Sequence, residues 1–187
     1  MNYTLPVIAK GVLSLRTDGL SKVRFAKTLY FVHKELVRAS LLNAQAIAYI
    51  RMPLGPVPDG FMLLDDDTDI KVNQRPTGLI YDTSVFSLSG VFAVPVQLKT
   101  SISKTLAKLD DFSTSQLVEI SHRDPGWIEH TNGQRYFISS RDLRNTLPKK
   151  TLKLDEIHDE QAMQAKLIDG MLTDIVEEST ALEYPDE

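Results

Sequence analysis

Residues 22–38, KVRFAKTLYFVHKELVR, form the stretch that decides the fold. Apolar side chains recur in it at helical spacing, so one broad face must be buried against other elements. Ser21 precedes the stretch as an N-cap residue, and no glycine or proline interrupts it. The sequence therefore predicts a central helix with the rest of the domain packed around it. The predicted buried face comprises Phe25, Ala26, Leu29, Tyr30, Val32, His33, Leu36 and Val37.

The other side of this helix is charged and has Phe31 in its middle. One hypothesis is that Phe31 is an exposed hot spot, with a cationic rim that suits an acidic partner. The alternative is that the domain's own first helix or wing covers the ring, because monomers expose few large apolar patches. The first hypothesis predicts a partner-binding surface made of Phe31, Arg24, Lys27, Lys34 and Arg38.

Composition excludes several classes of function. The chain has 187 residues and no cysteine, which removes disulfides, thiol catalysis and thiolate metal sites. Its apolar runs are shorter than a membrane span. Its first residues lack the pattern of a signal peptide. We therefore expect a cytosolic protein with no membrane contact.

Charge divides the chain into two parts. Residues 1–153 hold 20 basic and 14 acidic residues, a net charge of +6, and residues 154–187 hold 1 basic and 11 acidic, a net charge of −10. We predict a globular domain over 1–150 and an acidic C-terminal helix and tail over 151–187. A mildly basic body is only weak evidence for nucleic-acid binding.

The C-terminal helix carries an apolar stripe that includes Ile168, Leu172 and Ile175, which we predict to be partner-binding residues. Three roles stay open for it. It packs on the basic body or in a homodimer, it lies in a groove of a partner, or it mimics a polyanion in a basic active site.

The rest of the chain predicts an α+β fold that is predominantly α-helical, with helices packed around the central helix and a small antiparallel hairpin or wing. The acidic run 65–67 is interpreted as a solvated loop, with a hard-cation site as the alternative. The predicted helices are 4–16, a short helix 59–64 with Pro58 at its first turn, a helix from Thr100 capped by Ser101 or Ser103, a helix capped by Ser113 or Thr114 and stopped by Pro125-Gly126, and a helix that begins at Ser139. The predicted strands are 45–52, 70–72, 78–81, 85–88, 90–96 and 135–138.

No set of residues forms a recognisable catalytic motif. His122 and Asp124 could support acid–base chemistry, and a hydrolase that uses them is a hypothesis to be tested. His33, His122 and His130 have no spacing typical of a zinc site, and the phosphate-loop, dinucleotide and nucleophile-elbow motifs are missing. We therefore predict no enzyme, no catalytic or metal-binding residues and no cofactor. Trp127, the single tryptophan, is predicted to fill the core.

Four segments, in the same order along the chain, resemble the Panacea domain. Residues 22–31 resemble its KLxKLLYF helix, and 48–58 resemble its segment ending in YGPVP. Residues 117–127 resemble its LSxxSHxxxxW segment, and 138–143 the start of its closing helix. Leu54 departs from the aromatic residue that usually precedes GPVP, and 65–95 is longer than the family pattern. The matching family-motif residues are Tyr30, Gly55, Pro56, Val57, Pro58, His122 and Trp127.

The resemblance to this family, the SocA-like antitoxins of bacteria and phages, implies a function. It implies an antitoxin of a type II toxin–antitoxin system that neutralises a cognate toxin by direct protein–protein binding. It also implies a partner protease, since a relative is thought to deliver its toxin to a cytosolic protease as an adaptor. A homo-oligomer is compatible with it, and nucleic acid is not an expected partner. The alternative is a DNA-binding transcriptional regulator with a winged helical domain.

Overall fold

Helices and short strands alternate along the chain. The computed structural model describes residues 3–75 and 83–148. The fold is α+β and predominantly helical, with two small antiparallel sheets, as the sequence predicts. The helices are α1 (Leu5–Leu13), α2 (Lys22–Arg38), a 3₁₀ helix (Phe61–Asp66), α3 (Val96–Leu109), α4 (Thr114–Ser121), α5 (Pro125–Ile128) and α6 (Ser140–Arg144); the strands are β1 (Leu20–Ser21), β2 (Ala48–Ile50), β3 (Val57–Pro58), β4 (Ile70–Arg75), β5 (Thr83–Leu88) and β6 (Arg135–Phe137).

Helix α2 is the centre of the fold, and its bounds are those predicted. It contacts α1, α3 and α4 as well as strands β1, β3 and β5. Of its 17 residues only Lys22 is exposed, because neighbouring elements surround the helix. The predicted division into a buried and a charged exposed face is therefore wrong. Phe31 is 4% exposed, and Lys27 and Lys34 are 0% and 1% exposed.

The first sheet has the strand order β1-β5-β4 and contains the predicted hairpin. Phe86 of β5 pairs with Val72 of β4 and Leu20 of β1. Its ring lies 5.2 Å from that of Phe25 and 5.4 Å from that of Phe61, so the sheet packs on α2 through an aromatic cluster.

One predicted strand of this region is wrong, and another lies outside the described residues. The predicted strand 90–96 is irregular up to Pro95, and Val96 already begins α3. Pro95 has no backbone N–H to donate to a neighbouring strand, so it disfavours a strand at this position. The predicted strand 78–81 falls within 76–82, outside the described ranges.

The second sheet has the order β3-β2-β6 and places two tyrosines side by side. Tyr49 of β2 pairs with Tyr136 of β6 on one side and with Pro58 of β3 on the other. The prediction that Pro58 begins a helix is wrong, because Pro58 lies in an edge strand, where its missing N–H leaves no ladder bond unmade. The short helix follows as the 3₁₀ helix Phe61–Asp66.

Two predicted helix caps are confirmed, and one predicted helix start is wrong. Ser113 caps α4 in a capping box with Gln116, and Ser139 caps α6 in one with Asp142. The predicted start of α3 at Thr100 is wrong, since the helix begins at Val96. Its buried face repeats from the first turn, with Leu98, Ile102, Leu106 and Leu109. Pro125 does not only stop a helix, because it is the first residue of α5.

The acidic run 65–67 was predicted to be a loop, but Asp65 and Asp66 are the last residues of the 3₁₀ helix. Asp67, which follows that helix, lies next to a lysine of α1. Lys10 Nζ lies 3.3 Å from Asp67 Oδ2 and 3.0 Å from Asp69 Oδ2. Within residues 3–75 and 83–148, no group of three or more histidine or acidic side chains is arranged to hold a metal ion. In the same ranges, no helix has the length and apolar character needed to cross a membrane.

The predicted C-terminal helix, with Ile168, Leu172 and Ile175, lies outside the described residues. The predicted division of the chain at residue 150 therefore stays a prediction.

Candidate functional site

A buried polar cluster joins α2 to two distant segments of the chain. We call it the α2 polar cluster and define it as Lys27, Tyr30 and Lys34 of α2 with Pro56 and Asp124. The three α2 residues lie on successive turns of one side of the helix, at spacings of three and four residues. Each of them makes a polar contact with a residue of the other two segments.

Asp124 is the acidic member of the cluster. Its Oδ2 accepts hydrogen bonds from Tyr30 Oη at 2.5 Å and from Lys34 Nζ at 2.6 Å. The Lys34 and Asp124 side chains are each 1% exposed, so this is a buried ion pair. Burial lowers the pKa of Lys34, and the charge of Asp124 opposes that shift. Burial also raises the pKa of Tyr30, with Asp124 adding to the shift.

Lys27 joins α2 to the GPVP segment. Its Nζ donates to the backbone oxygen of Pro56 at 2.7 Å. Burial lowers the pKa of Lys27 well below its ordinary value. Gly55 adopts a φ of +89°, and a Cβ at this position would lie 2.4 Å from Ser121 Oγ and 2.9 Å from Lys27 Nζ. Only glycine fits this backbone conformation and this approach, so the glycine of GPVP is explained by both.

His33 forms a second polar link one turn away. Its Nε2 faces the backbone oxygen of Asn43 at 3.1 Å, so this nitrogen carries the proton. Nδ1 then accepts from the Tyr49 hydroxyl at 3.0 Å. Burial lowers the pKa of His33 from 6.5 to about 4, which keeps the imidazole neutral. His33 is thus a buried structural group.

Trp127 holds the loop after β2 against the end of α4. Its indole stacks on His122 with ring centroids 3.8 Å apart, and the Arg51 guanidinium lies 4.1 Å from the indole ring. Its Nε1 donates to the backbone oxygen of Met52 at 3.0 Å. The side chain is half-buried, so the prediction that Trp127 fills the core is wrong. The indole ring is therefore held between His122 and Arg51 of its own chain.

The predicted cationic rim around Phe31 also binds its own chain. Arg24 donates to the backbone oxygens of Leu109 at 2.8 Å and Phe112 at 2.5 Å, at the end of α3. Arg38 Nε donates to the backbone oxygen of Leu143 in α6 at 2.9 Å. These guanidinium groups satisfy carbonyls at helix ends, which otherwise lack partners. The proposed exposed surface does not exist, because Phe31, Lys27 and Lys34 are buried.

The structure brings together the four segments singled out in the sequence. Tyr30 and Lys27 of the first segment contact Asp124 and Pro56 of the third and second segments. Trp127 of the third segment binds Met52 of the second. The fourth segment joins through Asp142, whose Oδ1 accepts from the backbone N–H of Gly126 at 2.7 Å. Four segments far apart in sequence thus form one unit around α2.

Sequence reasoning missed the role of Asp124 as the counter-ion of Lys34, and it missed the exposed apolar residues. The sequence holds no local signal for this ion pair, because its two residues lie 90 positions apart. The exposed large apolar side chains in the described part of the chain are Met52, Met62, Leu63, Val91, Val96, Ile128 and Phe137. None of these positions was predicted to be an exposed apolar residue, whereas Phe31, which was, is buried.

Comparisons with protein-family models, with curated proteins and with solved structures found no match for this chain.

Proposed function

We propose that this protein is an antitoxin that binds a cognate toxin directly and blocks it. The observation that supports the proposal is that the four family-like segments bond to one another. Lys27 and Tyr30 of the first segment bond Pro56 of the second and Asp124 of the third, and Asp142 of the fourth bonds Gly126 of the third. Here their polar residues are mutual partners, as expected if the resemblance reflects one inherited domain.

The proposed mechanism is occupation of the toxin's surface, without a chemical step. Asp124, which would serve a hydrolase as an acid or base, accepts from Tyr30 and Lys34 and is 1% exposed. Its carboxylate therefore stabilises the fold. We expect the protein to act in the cytosol, where a toxin made beside it would first be met.

Co-expression tests this function. The reading frame next to this gene is expressed in a bacterial host, with and without this protein. We expect growth arrest from the neighbouring product alone, growth with both proteins, and a stable complex on size-exclusion chromatography. Arrest that persists despite abundant folded protein, with no complex, would contradict the proposal.

A second arm separates blockade from delivery to a protease. The same rescue is measured in a host that lacks its cytosolic ATP-dependent proteases. Blockade predicts that rescue persists there and that the toxin level is unchanged. Loss of rescue, with accumulation of the toxin, would instead indicate an adaptor.

A further inference from the structure

An apolar cleft opens between α1, the end of β5 and α3. We call it the α1–α3 cleft; its volume is about 440 Å³, within the range of pockets that bind ligands or anchor side chains. Apolar side chains make up most of its lining, and Lys99 is the charged group among them. The lining residues are Ser14, Leu15, Leu88, Gly90, Val91, Phe92, Ala93, Val94 and Lys99.

One lining residue of this cleft, Val91, is a fully exposed aliphatic side chain. Val91 is 103% exposed and Val96, at the start of α3, is 80% exposed; these are the two highest values among the large apolar residues of the described ranges. Val91 belongs to the lining of the cleft, and covering an exposed aliphatic side chain beside an apolar cleft gains free energy.

The backbone of the same segment is also unpaired. Within residues 3–75 and 83–148, the N–H and C=O groups of Val91–Val94 make no hydrogen bond to protein. Ser89 and Pro95 on either side do, with the backbone of Asp69 and of Lys99. A run of free donors and acceptors is a template for pairing with an extended segment of another chain.

Charge indicates the kind of partner. Helix α3 carries Lys99, Lys104 and Lys108 and no acidic residue. Lys99 lines the cleft and makes no ion pair within the described part of the chain, whereas Lys108 lies 3.3 Å from Glu35. Lys104 and Lys108 lie outside the lining of the cleft, so Lys99 alone supplies its positive charge, and that charge favours a negatively charged group on the partner.

We propose that the α1–α3 cleft is the docking site for an extended acidic segment of the toxin. An aliphatic side chain of that segment enters the cleft against Val91. A neighbouring carboxylate pairs with Lys99, and its backbone pairs with Val91–Val94. This inference rests on the proposed antitoxin function, which it extends by naming the surface and the chemistry of the partner.

Two full-length variants test the surface. Val91→Asp places a charge against the aliphatic anchor, and Lys99→Glu reverses the charge that meets the carboxylate. We expect each to weaken toxin binding by about tenfold or more, as residues at binding hot spots do. Both positions are exposed, so melting temperatures are expected to match the wild type.

Two matched variants control for charge and apolar loss elsewhere. Leu63→Asp alters an exposed aliphatic residue of the 3₁₀ helix, and Lys71→Glu reverses an exposed lysine of β4. Both lie outside the lining of the cleft. We expect both to bind toxin as the wild type does. Equal weakening in test and control variants would overturn the proposed site.

A peptide probe tests the surface without the toxin. A short fluorescent peptide that alternates leucine and glutamate is titrated with the full chain, beside a serine–glutamate and a leucine–glutamine peptide. We expect the first to bind and the other two to bind at least about tenfold more weakly, because each lacks one half of the interaction. Val91→Asp and Lys99→Glu are expected to abolish the difference.

The outcomes separate this inference from the proposed function. Rescue by both variants together with absent peptide binding overturns the docking site and leaves the antitoxin function standing. Peptide binding that both variants abolish, without any rescue by the wild type, supports the surface and contradicts the antitoxin function. If Val91→Asp instead converts a dimer to a monomer and leaves toxin and peptide binding unchanged, the cleft joins two copies of this chain and the proposal is wrong.

Discussion

His33 is fully buried, and its imidazole is neutral in the folded protein. Its folded-state pKa is about 4, below the ordinary value of 6.5. As pH falls through this window, the unfolded chain binds a proton that the folded protein excludes. His33 therefore contributes stability that is complete above pH 6.5 and is lost as pH falls towards 4, by about 3 kcal/mol.

The test compares wild type with His33→Gln by denaturant unfolding across that pH window. We expect the stability advantage of the wild type over the variant to shrink by about 3 kcal/mol as pH falls. The pH-dependent contributions of the other titrating groups are the same in both proteins, so they cancel in this difference. Parallel pH profiles for the two proteins would show that His33 is not excluded from protonation, and an NMR titration of the imidazole would check the same point directly.

Tyr49 and Tyr136 lie side by side but differ in their hydroxyl groups. The Tyr49 hydroxyl bonds His33, whereas the buried Tyr136 hydroxyl has no hydrogen-bond partner in the described part of the chain. We expect Tyr49→Phe to destabilise the fold by about 1–3 kcal/mol, because His33 Nδ1 loses its donor. Tyr136→Phe should be neutral or stabilising. Urea unfolding of both variants checks this, and an equal loss in both would contradict it.

At the scale of elements, α2 is attached to the α4–α5 corner by one ion pair, Lys34 with Asp124. Asp124→Asn leaves the ammonium buried without a counter-charge, and we expect a loss of about 3–5 kcal/mol. The exposed pair Arg135–Asp59 provides a control, since Asp59→Asn should cost less than about 1 kcal/mol. Denaturant midpoints at constant m-value measure both.

A double variant isolates the charge effect in that prediction. Lys34→Met with Asp124→Asn removes both buried charges, so we expect it to recover most of the stability that Asp124→Asn loses. A double variant as unstable as the sum of the two single variants would mean that hydrogen bonding and packing, rather than an uncompensated charge, hold α2 in place.

Element ends were predictable where local chemistry sets them. Ser113 and Ser139 begin their helices through side-chain bonds to residues three positions on, a signal contained in four residues. The start of α3 was not predictable in this way, because neither Pro95 nor Val96 carries a side chain that can cap a helix. Leu98 and Ile102 of its first two turns are buried in the core. Ile102 packs closely on α1, because its Cδ1 would lie only 2.9 Å from a Cβ added at Gly11.

At the scale of the whole molecule, charge separates along the chain. Residues 1–153 carry +6 and residues 154–187 carry −10. We expect a variant that ends at Lys153 to bind non-specific duplex DNA at low salt, at least about tenfold more tightly than the full chain, with an affinity that falls steeply as salt rises. Fluorescence anisotropy at several salt concentrations measures this.

The same measurement tests the regulator hypothesis. Equal and weak DNA binding by the full and shortened chains would show that the acidic residues do not offset the basic body. Tight binding of the full chain to its own promoter DNA, in preference to unrelated DNA, would favour the DNA-binding regulator. The predicted hairpin of that hypothesis is present as β4 and β5, but hairpins occur in many classes of protein.

The sequence by itself determined the central helix, the hairpin and the capped helices α4 and α6. Their signals are periodicity and capping, which act over a few neighbouring residues. Only the tertiary structure decided which charged residues are buried. Lys34 meets Asp124 across 90 residues of chain, and Phe31 is covered because α2 is enclosed on all sides. Helical spacing assigns residues to faces, but burial of a face depends on how many elements pack around the helix.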